Sequence, residues 1–236
     1  MISKLPWLFL LISSITFAQI PTNGLIAQYD FDSGALLTDN INANDFTQTG
    51  TALTQVVDRF GTTPTSAIML NGDHLERPNI NTGSSYSYSF WIKTDVNTST
   101  RQMIINDSNL TPTNASTSIG TRTYLVNGGL QTIVRHRINN AGTISYASAI
   151  EVSSFIADDC WHHIAIRMES RTYSATQNNI GGTLTSIRMF IDGVTTRVIE
   201  NQIGGTTLDA SSDVTGHVTV ANDRNNTLPA AERFQG

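Results

Sequence analysis

Residues 186–200 read SIRMFIDGVTTRVIE, and this stretch predicts a β-hairpin. Every second residue from Ile187 to Ile191 is apolar, so these side chains would share one face of a strand. A second run rich in β-branched residues follows Asp192-Gly193, a dipeptide that accepts the positive φ angles of a tight two-residue turn. We therefore expect two antiparallel strands with one buried face.

Similar runs recur along the whole chain. They are rich in Val, Ile, Thr, Tyr and Phe, and clusters of Gly, Asn, Asp and Ser separate them. Strands are predicted at residues 25–31, 66–71, 86–93, 102–106, 123–126, 130–137, 143–148, 161–168, 186–192, 195–200 and 217–222. Strands this short, with frequent turns between them, indicate one all-β domain, a two-sheet antiparallel β-sandwich or jelly roll.

The amino-terminal segment, the net charge and the cysteine count indicate where the protein acts and which partners it can have. Residues 1–18 are predicted to be a secretory signal peptide, since Lys4 precedes a short apolar run that ends in small or polar residues before Ala18. We expect a secreted or cell-surface mature chain, residues 19–236, without a transmembrane segment. A formal net charge of −5 indicates no nucleic-acid partner. Cys160 is the only cysteine, so no internal disulfide holds the core.

Oxygen donors are concentrated in TDNINAND, residues 38–45. Asp39, Asn42, Asn44 and Asp45 are candidate ligands of a structural calcium ion, which takes about six to eight oxygen ligands. The alternative is a turn in which these side chains hydrogen-bond their own backbone. No organic cofactor is expected.

The stretch CWHHIAIRM, residues 160–168, draws attention as a possible metal or catalytic site. His162 and His163 are adjacent on a predicted strand, so they point to opposite faces and cannot chelate one ion together. We expect structural roles for both histidines, and we expect Trp91 in the core. The sequence has no Gly-x-Ser-x-Gly motif and no closely spaced pair of glutamates, so no catalytic residue is assigned.

Sugar-binding sites combine aromatic rings that stack on pyranose faces with polar side chains that bind hydroxyls. Tyr146 and Tyr173, on predicted loops or edges, and Arg135 and Arg137, on an alternating strand, are the candidate ligand-binding residues. The polar segment 168–186 is longer than usual connections between strands. We expect ligand specificity to lie in that segment.

Seven stretches occur in a fixed order: GLIAQYDFD (24–32), TDNINANDFTQTG (38–50), DRFGTTPTSAIMLNGDHLERP (58–78), YSYSFWIKT (86–94), DDCWHHIAIRM (158–168), SIRMFIDGV (186–194) and VTVANDRNNTLPAAERFQG (218–236). In this order they resemble laminin G-like jelly-roll domains of the concanavalin A-like lectin/glucanase group, especially the bacterial secreted type. The resemblance implies a calcium ion at the Asp/Asn loop, helped by an acid near the carboxyl terminus. It also implies a closing acidic strand that this sequence does not reach, so we expect residues 19–236 to be a domain truncated at its carboxyl end.

The sequence therefore predicts a secreted, non-catalytic recognition module that binds polysaccharide or glycoprotein, in adhesion or in polysaccharide handling. Binding is expected on loops or on one concave sheet. Two alternatives stay open, because the fold implied by the resemblance hosts many functions. One is a protein–protein adhesion or structural module without affinity for glycans, and the other is a glycan hydrolase that uses a pair of aspartates.

Overall fold

The computed structural model describes residues 23–32, 34–50, 52–61, 66–81, 85–108, 119–141, 143–175, 180–208, 215–222 and 234, so the predicted signal peptide lies outside the described residues. No helix in these ranges is long and apolar enough to cross a membrane. The described strands are β1 (Thr47–Thr49), β2 (Thr54–Val56), β3 (Ala67–Met69), β4 (His74–Asn81), β5 (Ser85–Ile92), β6 (Gln102–Ser108), β7 (Gly120–Val126), β8 (Gly129–Asn140), β9 (Thr143–Phe155), β10 (His162–Tyr173), β11 (Gly182–Ile191), β12 (Val194–Gly204), β13 (Thr207–Leu208) and β14 (Thr215–Val220).

Two antiparallel sheets form a sandwich. The large sheet has the strand order β1-β4-β14-β6-β7-β8-β13, and β9 also pairs with β8. The small sheet has the order β12-β11-β10-β5, and β2 pairs with β3 in a separate two-stranded ribbon. The predicted all-β, two-sheet antiparallel fold is confirmed.

The hairpin predicted from residues 186–200 forms β11 and β12. Asp192 and Gly193 have φ angles of 51° and 78°, the positive values that a two-residue hairpin turn requires. Ile191 and Val194 are paired directly across the turn.

The core lies between the two sheets and follows the predicted alternation. Ile164, Ile166 and Met168 of β10 have no exposed surface, and neither have Leu125 of β7 and Leu130 of β8. Burial of a side chain of this size contributes about 1.5–3 kcal/mol. The alternate positions of the same strands face away from the core, which leaves two outer sheet faces for polar side chains.

Hydroxyl groups connect the two sheets inside the core. The hydroxyl of Tyr86 hydrogen-bonds that of Thr121 at 2.5 Å, and the hydroxyl of Tyr88 hydrogen-bonds that of Thr123. Thr123 in turn hydrogen-bonds Thr132 at 2.9 Å. Burial raises the pKa of both tyrosines, so they remain neutral. Buried hydroxyls with partners avoid the desolvation cost of unpaired ones and fix the position of β5 against β7.

Several strand predictions were wrong or incomplete. Residues 25–31 do not form a strand, and their backbone instead packs against the loop that contains Asp39. Strand β4 was not predicted, because Pro78 lies inside it and proline is usually excluded from strand interiors. The short strands β1, β2 and β13 carry too few residues for a periodic pattern.

The predicted specificity loop at residues 168–186 is largely strand. It forms the ends of β10 and β11, which pair continuously from Met168 opposite Ile187 to Tyr173 opposite Gly182. Polar residues dominate there on both faces: Arg171 is exposed, whereas Ser170, Thr183 and Thr185 are buried, and the hydroxyl of Ser170 hydrogen-bonds that of Thr185 at 3.1 Å. Tyr173, predicted on a loop or an edge, is the last residue of β10.

Candidate functional site

Alternation along β8 separates its side chains into two sets. Thr132, Val134 and His136 have no exposed surface and face the small sheet. Arg135 and Arg137 occupy the alternate positions and are half-buried on the outer face of the large sheet. The two arginines are two residues apart, about 6.6–6.8 Å along the strand.

Pairing of β7 with β8 brings more residues to the same outer face. Tyr124 lies directly opposite Gln131, and Arg122 occupies the position diagonal to Arg135. Sequence reasoning missed Arg122 because the predicted strand began at residue 123, whereas β7 begins at Gly120. We call this group the arginine face: Arg122, Tyr124, Gln131, Arg135 and Arg137.

Pairing of β9 with β8 gives the backbone position of another candidate. Tyr146 is the register partner of Arg137, so the two residues are neighbours in the sheet. The side chain of Tyr146 lies outside the described part of the structure, so its predicted role in ligand binding stays a prediction. Tyr173 is not near these residues, since it ends β10 in the other sheet.

The arginine face concentrates positive charge in a chain whose formal net charge is −5. Arg122, Arg135 and Arg137 are half-buried, and a fourth guanidinium, that of Arg101, lies 5.6 Å from the centroid of the Tyr124 ring. Guanidinium groups bind carboxylates and sulfates through paired N–H donors, and partial desolvation strengthens such contacts. The chemistry of this surface therefore favours an anionic ligand.

In the loop predicted to bind calcium, hydrogen-bond donors of the protein itself contact the carboxylate of Asp39. Asp39 Oδ1 accepts hydrogen bonds from the N–H groups of Gln28 and Ile41, each at 3.0 Å. Arg77 Nη2 lies 3.4 Å from Asp39 Oδ2, and both residues are buried. Burial acts to raise the pKa of Asp39, but the hydrogen bonds and the guanidinium outweigh it and hold the pKa below its usual value.

The other three candidate ligands make contacts typical of an Asx-rich turn. Asp45 Oδ1 accepts a hydrogen bond from the N–H of Asp39 at 3.0 Å. The amide nitrogen of Asn42 donates to the carbonyl of Ile26 at 2.7 Å, and that of Asn44 donates to the carbonyl of Asn42 at 3.0 Å. These bonds connect the loop to itself and to residues 25–31.

The position of Arg77 argues against Asp39 as a calcium ligand. A guanidinium 3.4 Å from Asp39 Oδ2 already balances that buried charge and would repel a divalent cation, so Asp39 does not fit as a calcium ligand in this arrangement. The described ranges contain no cluster of three or more His, Cys, Asp or Glu side chains suited to a metal ion. Calcium binding stays a prediction, to be tested by calorimetric titration.

His162 lies between two carboxylates at one end of the small sheet. Its Nδ1 is 2.8 Å from Asp192 Oδ2, and its Nε2 is 3.0 Å from Asp158 Oδ1. Partial burial acts to lower the pKa of His162, but these hydrogen bonds outweigh it and raise the pKa above its usual value. The imidazole separates the two carboxylates, whereas glycoside hydrolysis needs a carboxylate pair open to substrate and water.

We expect the contribution of His162 to the free energy of unfolding to decline as the pH rises. A folded-state pKa above the unfolded value of about 6.5 means that the contribution is complete below that pH and is lost as the pH rises through the folded pKa. Urea unfolding of the wild type and His162→Asn at about pH 5.5 and about pH 8.5 measures it. The difference should be larger at the lower pH, while His163→Asn serves as the neighbouring control. Equal differences at both pH values would refute the assignment.

Trp91, expected in the core, is 43% exposed. Ile92 is buried, so alternation places Trp91 on the outer face of β5 with Ser87 and Ser89. The guanidinium carbon of Arg59 lies 4.4 Å from the centroid of its ring. The alternating serines of YSYSFWIK already indicate that Trp91 lies on this outer face. The prediction of a core position was wrong because it rested on the size of the tryptophan side chain.

No protein-family model matches this sequence, and no curated protein matches it. Among solved structures, endo-β-1,4-glucuronan lyase from the fungus Trichoderma reesei is 15% identical with a TM-score of 0.44, over 72% of this chain and 74% of that chain. The enzymatically active domain of tailspike protein 2 of bacteriophage CBA120 is 13% identical with a TM-score of 0.42, over 81% of this chain and 27% of that chain. Domains LG4-5 of the mouse laminin α1 chain are 12% identical with a TM-score of 0.36, over 84% of this chain and 40% of that chain. These TM-scores are too low to support an argument about function, so the function proposed below rests on the residues of this chain.

Proposed function

We propose that this protein is a secreted, non-catalytic recognition module that binds acidic carbohydrate, as free polysaccharide or on glycoproteins, through the arginine face. The observation that supports this most is the grouping of Arg122, Arg135 and Arg137 on one face of two paired strands. Their positive charge stands in contrast to the net charge of −5 of the whole chain. Charge complementarity of this kind favours anionic ligands and speeds their association.

The contacts within the arginine face suggest how a glycan chain would be held. Arg135 and Arg137 follow one another on β8, so a polymer with regularly spaced acid groups can contact both. Each charge-assisted contact contributes about 1.5–3 kcal/mol. Tyr124 adds an aromatic surface of the type that packs against pyranose rings.

We propose that the protein acts outside the cell, in adhesion or in polysaccharide handling. The predicted signal peptide at residues 1–18 supports export. Calcium binding at the loop of residues 38–45 is a separate prediction, and the proposed role of the arginine face does not depend on it.

An array of acidic and neutral glycans tests the proposal. The chain without residues 1–18 should be retained by glycans that carry carboxylates or sulfates. Retention should fall as the salt concentration rises from about 0.05 M to about 0.5 M, because salt screens exposed charges. Retention by neutral glycans alone would contradict the role of the arginine face. Adherence to a protein partner without binding to any glycan would favour the protein–protein alternative, and release of reducing ends would favour the hydrolase.

A further inference from the structure

A shallow depression on the outer face of the small sheet is lined by charged and polar side chains. We propose that this depression, which we call the paired-arginine site, binds one carboxylate-bearing sugar residue, with the sugar carboxylate between Arg167 and Arg188. The lining residues are Arg167, Glu169, Ser186, Arg188, Val198 and Glu200. The site lies on the sheet opposite the arginine face and does not depend on the function proposed there.

The two arginines face each other in the strand register. Arg167 of β10 and Arg188 of β11 are direct partners, on the outer side of a hairpin whose inner residues, such as Ile166 and Ile187, have no exposed surface. Like charges directly opposite each other on neighbouring strands are destabilising. Packing of the core does not require this pair, because the side chain of Arg167 is 59% exposed. An anion bound between the two guanidinium groups would offset the repulsion.

The nearby acids balance these arginines only in part. Glu169 Oε2 lies 3.2 Å from Arg167 Nη2, while Glu169 Oε1 lies 2.9 Å from Arg171 Nε, so one carboxylate serves two guanidinium groups. Arg188 makes no ion pair or hydrogen bond through its side chain with any residue that the structure describes. Its planar set of N–H donors therefore remains available for a bidentate contact with a carboxylate.

The rest of the lining selects among anions. Glu169 and Glu200 in the lining would repel a polyanion such as a phosphate-rich polymer, but their oxygens can accept hydrogen bonds from hydroxyls. Ser186 adds a further donor and acceptor, and Val198 adds apolar surface for C–H groups. A single carboxylate surrounded by hydroxyls, as in a uronic acid residue, fits this set of groups best.

Titration with methyl glucuronoside, with methyl glucoside as the uncharged control, tests the site by NMR of the arginine Nε–H groups. The glucuronoside should shift the signals of Arg167 and Arg188, and the glucoside should not. Arg188→Ala should weaken glucuronoside binding at this site about tenfold or more, and Arg188→Lys should weaken it nearly as much because lysine lacks the planar fork. Lys93→Ala, which removes an exposed positive charge that follows β5 and pairs with Asp159 outside the site, should change it by less than about twofold.

The melting temperature separates a binding role from a structural one. Arg188→Ala should leave it unchanged or raise it, because the variant relieves a like-charge pair. A lower melting temperature would overturn the proposal, and so would an equal response to both glycosides or no response of Arg167 and Arg188. Signals that shift only at Arg135 and Arg137 would overturn the paired-arginine site while supporting the function proposed for the arginine face.

Discussion

Replacement of Arg77 by methionine should lower the free energy of unfolding by about 3–5 kcal/mol, because it leaves the carboxylate of Asp39 buried without its partner. The two side chains are only 2% and 0% exposed, and Arg77 Nη2 lies 3.4 Å from Asp39 Oδ2. Arg77 also lies 5.8 Å from the centroid of the Tyr29 ring, and methionine retains part of that apolar contact. Urea unfolding followed by tryptophan fluorescence measures the loss.

A double-mutant cycle shows whether the loss comes from the ion pair. Asp39→Asn removes the charge but keeps the Oδ1 acceptor for the N–H groups of Gln28 and Ile41. The double variant with Arg77→Met should be within about 1–2 kcal/mol of the wild type, and the exposed control Arg171→Ala should change stability by less than about 0.5 kcal/mol. A loss below about 1 kcal/mol for Arg77→Met, or no recovery in the double variant, would show that the pair does not balance the charge of this loop.

Replacement of both Arg135 and Arg137 by alanine should weaken binding to an acidic polysaccharide by about a hundredfold. Each lost charge-assisted contact removes about 1.5–3 kcal/mol, which is at least about tenfold in affinity. Both side chains are half-buried on the outer face of β8, away from the core, so the melting temperature should change by only a few degrees, about the effect of 1 kcal/mol. Isothermal titration calorimetry measures the affinity directly.

Single variants separate the arginine face from the overall charge of the protein. Arg135→Ala, Arg137→Ala and Arg122→Ala should each weaken binding about tenfold, while Arg171→Ala on the other sheet removes the same charge and should have little effect. Arg122→Ala is the most informative of these, since only the pairing of β7 with β8 assigns Arg122 to the face. Equal losses from all four variants would mean that net charge, and not the arginine face, attracts the glycan.

The parts of the fold that could be predicted are those in which burial is a local property of one strand. From Ile164 to Met168 in β10 and from Ile187 to Ile191 in β11 every second residue is apolar because one face packs in the core, and this pattern is visible in the sequence alone. The turn at Asp192-Gly193 could be predicted for the same reason, since positive φ restricts the residues there. Pro78 had the opposite effect and concealed β4.

The parts of the site that could not be predicted depend on contacts between residues distant in sequence. Arg122 joins Arg135 and Arg137 only because β7 pairs with β8. The sequence shows that residues 38–45 carry many side-chain oxygens. It does not show which N–H groups donate hydrogen bonds to those oxygens. Periodicity describes which face a residue occupies, but it does not state which strand lies beside it.

The central claim is that the arginine face recognises the acid groups of a glycan. The most direct measurement compares the affinity of the wild type for an acidic polysaccharide and for the same polysaccharide after chemical reduction of its carboxylates to alcohols. We expect the reduced polymer to bind the wild type at least about a hundredfold more weakly, whereas the Arg135→Ala/Arg137→Ala variant should distinguish the two polymers far less than the wild type does. Equal affinity of the wild type for both polymers would contradict the account.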